Sequence, residues 1–300
     1  MRALITGGCG FIGSHVVEAA AKEDWEIMII DNLSTGDKAN VKDIKGVEII
    51  QKNISDAGKD IAAFKPDYIF HLAALPRIQP SFIDPIGHDV ANVHETIRLI
   101  GHIDELSVTA FIYSSSSSCY GEPKETPTRE GHPIEPISPY AIQKYSAERY
   151  VHVMCKHKSI KCTALRYFNV YGPRSFNMKN KENAYSSVVG IFKNAKDNGE
   201  RVRITGDGEQ RRDFIHVSDV AHANVFAAKN IALFNGRSLN VGSGLTISIN
   251  ELSRMMDLEV DYISKREGEA HITHADITEI RALGWEPRVR LEEAILNDLI

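Results

Sequence analysis

The first half of the chain alternates short apolar runs with longer stretches of helical spacing. Unbroken apolar runs at residues 2–6, 26–31, 47–51, 68–72, 110–115 and 162–168 predict strands covered on both faces. Between them the spacing predicts helices near 13–21, 90–106 and 140–156. Strands that alternate with helices build a parallel sheet, so the expected class is α/β. After about residue 175 the rhythm changes: 177–183 is polar and loop-like, and 202–217 is rich in Gly, Asp and Arg. This predicts a sheet domain over 1–175 and a smaller lobe over 176–300 that closes over the sheet's mouth, with the chain crossing between them.

Two helices carry more apolar surface than a sheet needs. The 90–106 segment has one stripe at Val90/Val93/Ile97/Ile100 and another at Leu99/Ile103/Leu106. The helix from Tyr140 adds Ile142, Tyr150, Val151 and Val153. A second stripe needs a second partner.

Composition narrows the partners. At 300 residues, 43% hydrophobic and 25% charged, the chain is ordinary for a globular protein. A net charge of −5 with scattered basic residues gives no reason to expect nucleic acid or a membrane surface. No apolar run approaches the roughly 20 residues of a membrane helix, and the N-terminus runs straight into a strand. Cys9, Cys119, Cys155 and Cys162 show neither metal-ligand spacing nor a disulfide framework. A soluble cytoplasmic protein with free thiols and no metal is expected.

The sharpest local signal is Thr6-Gly-Gly-Cys-Gly-Phe-Ile-Gly13, which follows the first strand and opens the first helix. Gly7 permits a tight turn, Gly10 lets backbone approach a pyrophosphate, and Gly13 lets helix pack on strand. Phosphate then sits on the helix N-terminus. Asp31 ends the second strand, where a carboxylate accepts from adenosine ribose hydroxyls and repels a 2′-phosphate. NAD is therefore expected over NADP, on a Rossmann-type doubly wound sheet.

The Gly7-x-x-Gly10-x-x-Gly13 spacing resembles the extended short-chain dehydrogenase/reductases, the NAD-dependent epimerase/dehydratase type. The likeness continues through Asp31-Asn-Leu-Ser-Thr-Gly36, His71-Leu-Ala-Ala74 and Asn92. It implies NAD contacts from Phe11, Ile12, Asp31, Asn32, Leu33, Ser34, Thr35, Gly36, Leu72, Ala73, Ala74 and Asn92. Asn53-Ile54 stands where the family usually has Asp before Ile or Val, and asparagine can still accept from the adenine amine.

Tyr140 and Lys144 lie four apart on one helix face, downstream of Ser114–Ser118 and Tyr120-Gly121. The resemblance makes Ser116, Tyr140 and Lys144 the catalytic set. A phenol is a poor base at neutral pH. Lys144 and the nicotinamide ring would favour its phenolate, so that Tyr140 removes a proton from a sugar hydroxyl while Ser116 orients the oxygen. Arg166-Tyr-Phe-Asn-Val-Tyr-Gly-Pro-Arg174 implies Phe168 beside the nicotinamide and Asn169 on a diphosphate. The block Gly206–Asp219 implies Arg212 on the diphosphate, and Lys265-Arg-Glu-Gly-Glu269 implies Arg266 on phosphate and Glu269 on uridine ribose. Four residues past Glu269, Thr273 would face the C2 substituent of the sugar.

The implied activity is NAD-dependent 4-epimerisation of a UDP-hexose through a transient 4-keto intermediate, in a homodimer joined by a four-helix bundle. Ser117 and Ser118 stand where related dehydratases and decarboxylases place acids, and the Ser-Ser-Ser-x-Tyr-Gly form looks like 4-epimerases of UDP-glucose, UDP-N-acetylglucosamine and UDP-glucuronate. Another sugar-nucleotide reaction (4,6-dehydration, decarboxylation or reduction) and a non-catalytic NAD-binding module remain as alternatives. The segment from 249 to 266 is shorter than the family's, Glu95 replaces a common glycine, and Pro76 replaces a lysine of some hexose epimerases.

Overall fold

A computed structural model of the protein describes residues 1–103, 108–176 and 186–300. The first half runs β1 (Arg2–Thr6), α1 (Phe11–Ala21), β2 (Glu26–Ile30), β3 (Val47–Ile50), α2 (Gly58–Phe64), β4 (Tyr68–His71), α3 (Ile78–Ile83) and α4 (Pro85–Asp89). A π-helical turn at Val90–His94 leads into α5 (Glu95–His102), then β5 (Ala110–Ser116), α6 (Pro139–His157) and β6 (Cys162–Tyr167). All six expected strands are present and in place. Helices α2, α3 and α4 were not legible, because they are short and α3 and α4 contain Pro80 and Pro85. Pro85 in fact starts α4, at its first turn, with Asp84 accepting from the Gly87 amide at 2.9 Å.

The second half adds β7 (Asn169–Tyr171), α7 (Val188–Asn198), β8 (Val202–Thr205), β9 (Arg211–Arg212), β10 (Phe214–His216), α8 (Val217–Lys229), α9 (Ile231–Phe234) and β11 (Ser238–Val241). It ends with β12 (Ile247–Ser248), α10 (Ile249–Met255), β13 (Val260–Ile263), α11 (Thr278–Ala282) and α12 (Leu291–Leu296). The expected loop at 177–183 and the end of the 90–106 helix, with Leu106, lie outside the described residues.

The central sheet has seven parallel strands in the order β11-β6-β5-β4-β1-β2-β3. Its strand order reverses between β1 and β4, and at such a switch point the helices leave on opposite faces and open a crevice at the strands' carboxyl ends. One apolar layer, centred on Ile5, Val16, Phe70, Ile112, Leu165 and Trp285, packs α1 and α8 on one face. The other, with Leu4, Ile69, Leu99, Phe111 and Val151, packs α5 and α6 on the opposite face. A third cluster around Phe192, Ile204, Phe214 and Leu252 is the core of the small lobe. The chain returns from that lobe to the sheet, since β11 pairs with β6 from Ser238↔Ala164 to Val241↔Tyr167.

The two apolar stripes of the 90–106 segment do not divide as the periodicity suggests. Val93, Leu99, Ile100 and Ile103 are all buried within the subunit, Ile97 is half-buried, and Val90 is exposed. The π turn shifts the helical phase, so residues before and after it do not share one face. No helix among the described residues is long and apolar enough to cross a membrane, and no metal-binding cluster is found among them. The four cysteines are buried, and none forms a disulfide among the described residues.

Candidate active site

One cleft of about 1620 Å³ runs across the carboxyl ends of the sheet strands and under the small lobe. At one end lies the glycine turn. A Cβ on Gly7 would come within 2.7 Å of the Ala73 nitrogen, and one on Gly13 within 2.0 Å of the Gly7 carbonyl oxygen. Only glycine lets β1, α1 and the 72–74 segment approach this closely. Gly10 is the N-cap of α1 and makes no side-chain capping bond, so the cap itself puts no side chain at the helix N-terminus. That open, amide-lined end facing the cleft fits a dinucleotide pyrophosphate.

Next to the glycine turn the cleft wall is built on Asp31. Its Oδ2 accepts from the Cys9 amide at 2.9 Å and its Oδ1 from the Leu33 amide at 2.8 Å, which fixes the carboxylate in the cleft wall. Asn32, Ser34, Thr35, Asn53 and Ile54 line the cleft beside it. The Asn53 Oδ1 is engaged, accepting from Asn32 Nδ2 at 2.9 Å. Glu95 has a structural use: its Oε2 accepts from the Ser55 amide at 2.8 Å. Leu33 and Gly36 lie behind the lining, where a Gly36 Cβ would meet Cys9 at 2.9 Å.

Phe11, Ile12, Leu72, Ala73, Ala74 and Phe168 face the cleft. Asn92 does not. It is buried, accepts from the Leu75 amide at 2.8 Å, and donates to the Leu75 carbonyl at 3.1 Å and to Gln143 at 3.2 Å. Its bonds fasten the backbone of the 73–77 loop. His71 fastens the start of the same loop: its Nδ1 is 2.7 Å from Thr6 Oγ1, its Nε2 is 2.8 Å from Thr96 Oγ1, and Thr6 Oγ1 also takes the Ala73 amide at 3.2 Å. Since Thr96 Oγ1 donates to the Asn92 carbonyl, it accepts from Nε2–H, and the ring is neutral. Burial holds the His71 pKa down to about 3.

Ser116, Tyr140 and Lys144 meet at the middle of the cleft. Ser116 ends β5, and Tyr140 and Lys144 sit in the first turns of α6, whose N-terminus is capped by Ser138 at 3.3 Å with Pro139 following. Ser116 Oγ accepts from Ser118 Oγ at 2.9 Å and from the Ser118 amide at 3.2 Å. Burial raises the Tyr140 pKa, opposed by the Ser116 hydrogen bond and the Arg77 charge. The cation opposing that rise is thus Arg77, where the sequence points to Lys144. Lys144 Nζ instead stands 4.5 Å from the centre of the Tyr113 ring, and burial brings its pKa down to about 7 against the pull of Glu148.

Glu148, a turn beyond Lys144, was not legible as a site support. It is buried and paired with Arg166 at 2.6 Å, and it accepts from Ser115 at 2.6 Å and Ser238 at 2.9 Å. Arg166 also donates to the Tyr120 hydroxyl at 2.9 Å. The pair ties α6 to β5, β6 and β11 directly behind the catalytic edge.

The far end belongs to the small lobe. Asn169 Nδ2 donates to the Asp213 carbonyl at 3.1 Å. Arg212 donates to the carbonyls of Arg211 at 2.9 Å and His271 at 3.1 Å, with Glu269 3.8 Å away. Arg266 is exposed at the rim, and Thr273 lines the wall. The cleft therefore brings together the glycine turn, an acidic wall at Asp31, a Ser-Tyr-Lys centre and a cationic far end.

Residues 3–242 match the NAD dependent epimerase/dehydratase family. The chain belongs to that family. A putative UDP-glucose 4-epimerase of Methanocaldococcus jannaschii is 34% identical over 97% of this chain and 95% of its own length. Among solved structures, a UDP-N-acetylglucosamine 4-epimerase from Methanobrevibacter ruminantium, in complex with UDP-N-acetylmuramic acid, superposes with a TM-score of 0.90. It is 35% identical, covering 99% of this chain and 96% of that one. A UDP-glucose 4-epimerase from Thermotoga maritima with UDP-glucose gives a TM-score of 0.90 at 34% identity, covering 98% and 96%. As in other NAD-dependent members of the epimerase/dehydratase family, the cofactor is NAD.

Proposed function

We propose that this enzyme catalyses 4-epimerisation of a UDP-hexose. The observation that carries the reading is the meeting of Ser116, Tyr140 and Lys144 between the glycine turn and the cationic far end of one cleft. The relatives named as 4-epimerases, matched over nearly the full length of both chains, support it.

Gly7, Gly10, Phe11, Ile12, Gly13, Asp31, Asn53 and Ile54 would hold NAD, with Leu72 to Ala74, Lys144 and Phe168 towards its nicotinamide. When bound, NAD would supply a reversible hydride acceptor for C4. Tyr140 moves the proton of the C4 hydroxyl and Ser116 holds that oxygen in line, while the Arg77 charge favours the phenolate against the effect of burial. Asn169, Arg212 and Arg266 bind the substrate diphosphate, the arginines by paired charge-assisted bonds, and Glu269 takes the uridine ribose. Ser117 and Ser118 carry hydroxyls where elimination would need an acid and base, which favours epimerisation over dehydration.

The enzyme works as a homodimer. Ile142, Tyr150 and Val153 on α6 are 51%, 45% and 61% exposed, and Val90 and Ile86 add to the same apolar surface. Adjacent exposed apolar side chains of this kind mark an interaction face. Incubation with a panel of UDP- and GDP-sugars, with chromatographic detection of the C4 epimer, tests the activity. Absence of an epimer from every sugar, with NADH released instead, would overturn it.

A further inference from the structure

We infer that Arg77 reads a carboxylate on the sugar, so that the preferred substrates are nucleotide sugars carrying an acidic group. This rests on the 4-epimerase reading and narrows it.

Arg77 stands immediately before α3 with a backbone φ of 85°, a conformation that is a genuine outlier for a bulky residue. Such outliers persist where surrounding structure over-determines them, and they gather at ligand sites. Here the constraints are visible on every side. Asn92 bonds both backbone groups of Leu75, the Tyr140 amide donates to Ser81 Oγ at 3.1 Å, and Gln79 donates to the Glu267 carbonyl at 2.9 Å. Ile78 and Phe82 close on Gly268, where a Cβ would meet Phe82 at 2.8 Å. The loop is thus fastened to the π-helical turn, α6 and the 266–270 segment, and it presents Arg77 to the cleft.

The guanidinium has no counterpart there. Its Nε is buried without a hydrogen-bond partner, and no described residue forms an ion pair with it. Elsewhere this fold pairs its inward arginines: Arg166 meets Glu148 at 2.6 Å, and Arg174 meets Glu18 at 2.7 Å. The charges nearest Arg77 in effect are those of Tyr140 and Glu269, which counter the effect of burial and keep it cationic. Tyr140 acts at C4, and Glu269 stands beside Arg212 at the far end. Arg77 therefore faces the sugar, while Arg212 and Arg266 remain for the diphosphate. A planar guanidinium fork matches a carboxylate by two parallel bonds. A neutral hexose would leave the buried charge unpaired, and sites with an unpaired polar group reject the ligand that fails to fill it.

A carboxylate could come from C6, as in UDP-glucuronate, or from a lactyl ether at C3, as in UDP-N-acetylmuramate. The test compares kcat/KM for these two and UDP-glucose, in the wild type and in Arg77→Gln, with products identified by chromatography. At least one acidic substrate should exceed UDP-glucose by about tenfold or more, and that ratio should fall by about tenfold in Arg77→Gln. Which acid gains identifies the position of the group. A wild type that favours UDP-glucose overturns the inference even if the variant does not fold. So does an equal loss on all three sugars, which would assign Arg77 to the diphosphate or to Tyr140. If no sugar is epimerised, the 4-epimerase reading fails instead, and isothermal titration of the same three ligands still reads the preference set by Arg77.

Discussion

Asn169 Nδ2 donates to Thr273 Oγ1 at 2.8 Å, so a strand of the small lobe and the segment after Glu269 share one wall of the sugar end. The threonine is small and partly buried, and the wall beside it is open to the cleft. A tyrosine there would fill the space assigned to a C2 substituent, and overpacking typically costs 1–3 kcal/mol. The wild type is expected to accept UDP-N-acetylglucosamine as well as UDP-glucose. Thr273→Tyr should lose the N-acetylated sugar selectively, and an equal loss on both would remove Thr273 from substrate choice.

Tyr140→Phe keeps the ring and removes the proton-transfer group. Turnover should fall by at least about two orders of magnitude, the low end of what general acid–base catalysis supplies. NAD binding, followed by fluorescence titration, should persist. Wild-type turnover in this variant would take Tyr140 out of the mechanism.

Asp31 is expected to set the cofactor: its carboxylate, fixed by the Cys9 and Leu33 amides, would meet the 2′ position of adenosine ribose and repel a phosphate there. NAD should bind more tightly than NADP, and Asp31→Ala should narrow the difference. A wild-type preference for NADP in equilibrium binding would contradict the assignment.

The ring of His71 is buried neutral, with a folded pKa near 3 against 6.5 for an unperturbed histidine. The unfolded chain binds its proton below about 6.5, whereas the folded protein resists protonation until near 3. The stability this group contributes is therefore complete above pH 6.5 and is lost as the pH falls towards 3, on the order of 5 kcal/mol at one pKa unit per 1.4 kcal/mol. Urea unfolding across this range should show a steeper acid loss in the wild type than in His71→Asn. Parallel curves would mean that His71 titrates alike in the folded and unfolded chain, and would overturn the assignment.

What was legible in the chain is what is local. Gly7, Gly10 and Gly13 lie within one turn, and Tyr140 and Lys144 within one helical turn, so their spacing alone carries the geometry. The parallel strands declare themselves as unbroken apolar runs. Long-range partnerships leave no such trace. Nothing near Glu148 in the chain announces Arg166, Ser115 and Ser238 as its partners. Asn92, whose resemblance points to NAD, is turned to Leu75 by a loop whose path no periodicity encodes. Arg77 reads as one polar residue between Pro76 and Ile78, and its importance appears only once the cleft closes around it. The two apolar stripes misled because a π turn at Val90–His94 changes the helical phase.

The return of β11 to the sheet governs how this protein can be made. Six of the seven strands lie before residue 168, yet the β6 edge stays bare until Ser238–Val241 arrives. During synthesis the cofactor half therefore waits, with an unsatisfied strand edge, for more than seventy further residues to emerge. An edge of that kind recruits other strands when left open. Fragments ending near residue 175 should accordingly be handled as nascent chains in need of a chaperone. The protein reaches its finished sheet only when most of the small lobe has also been translated.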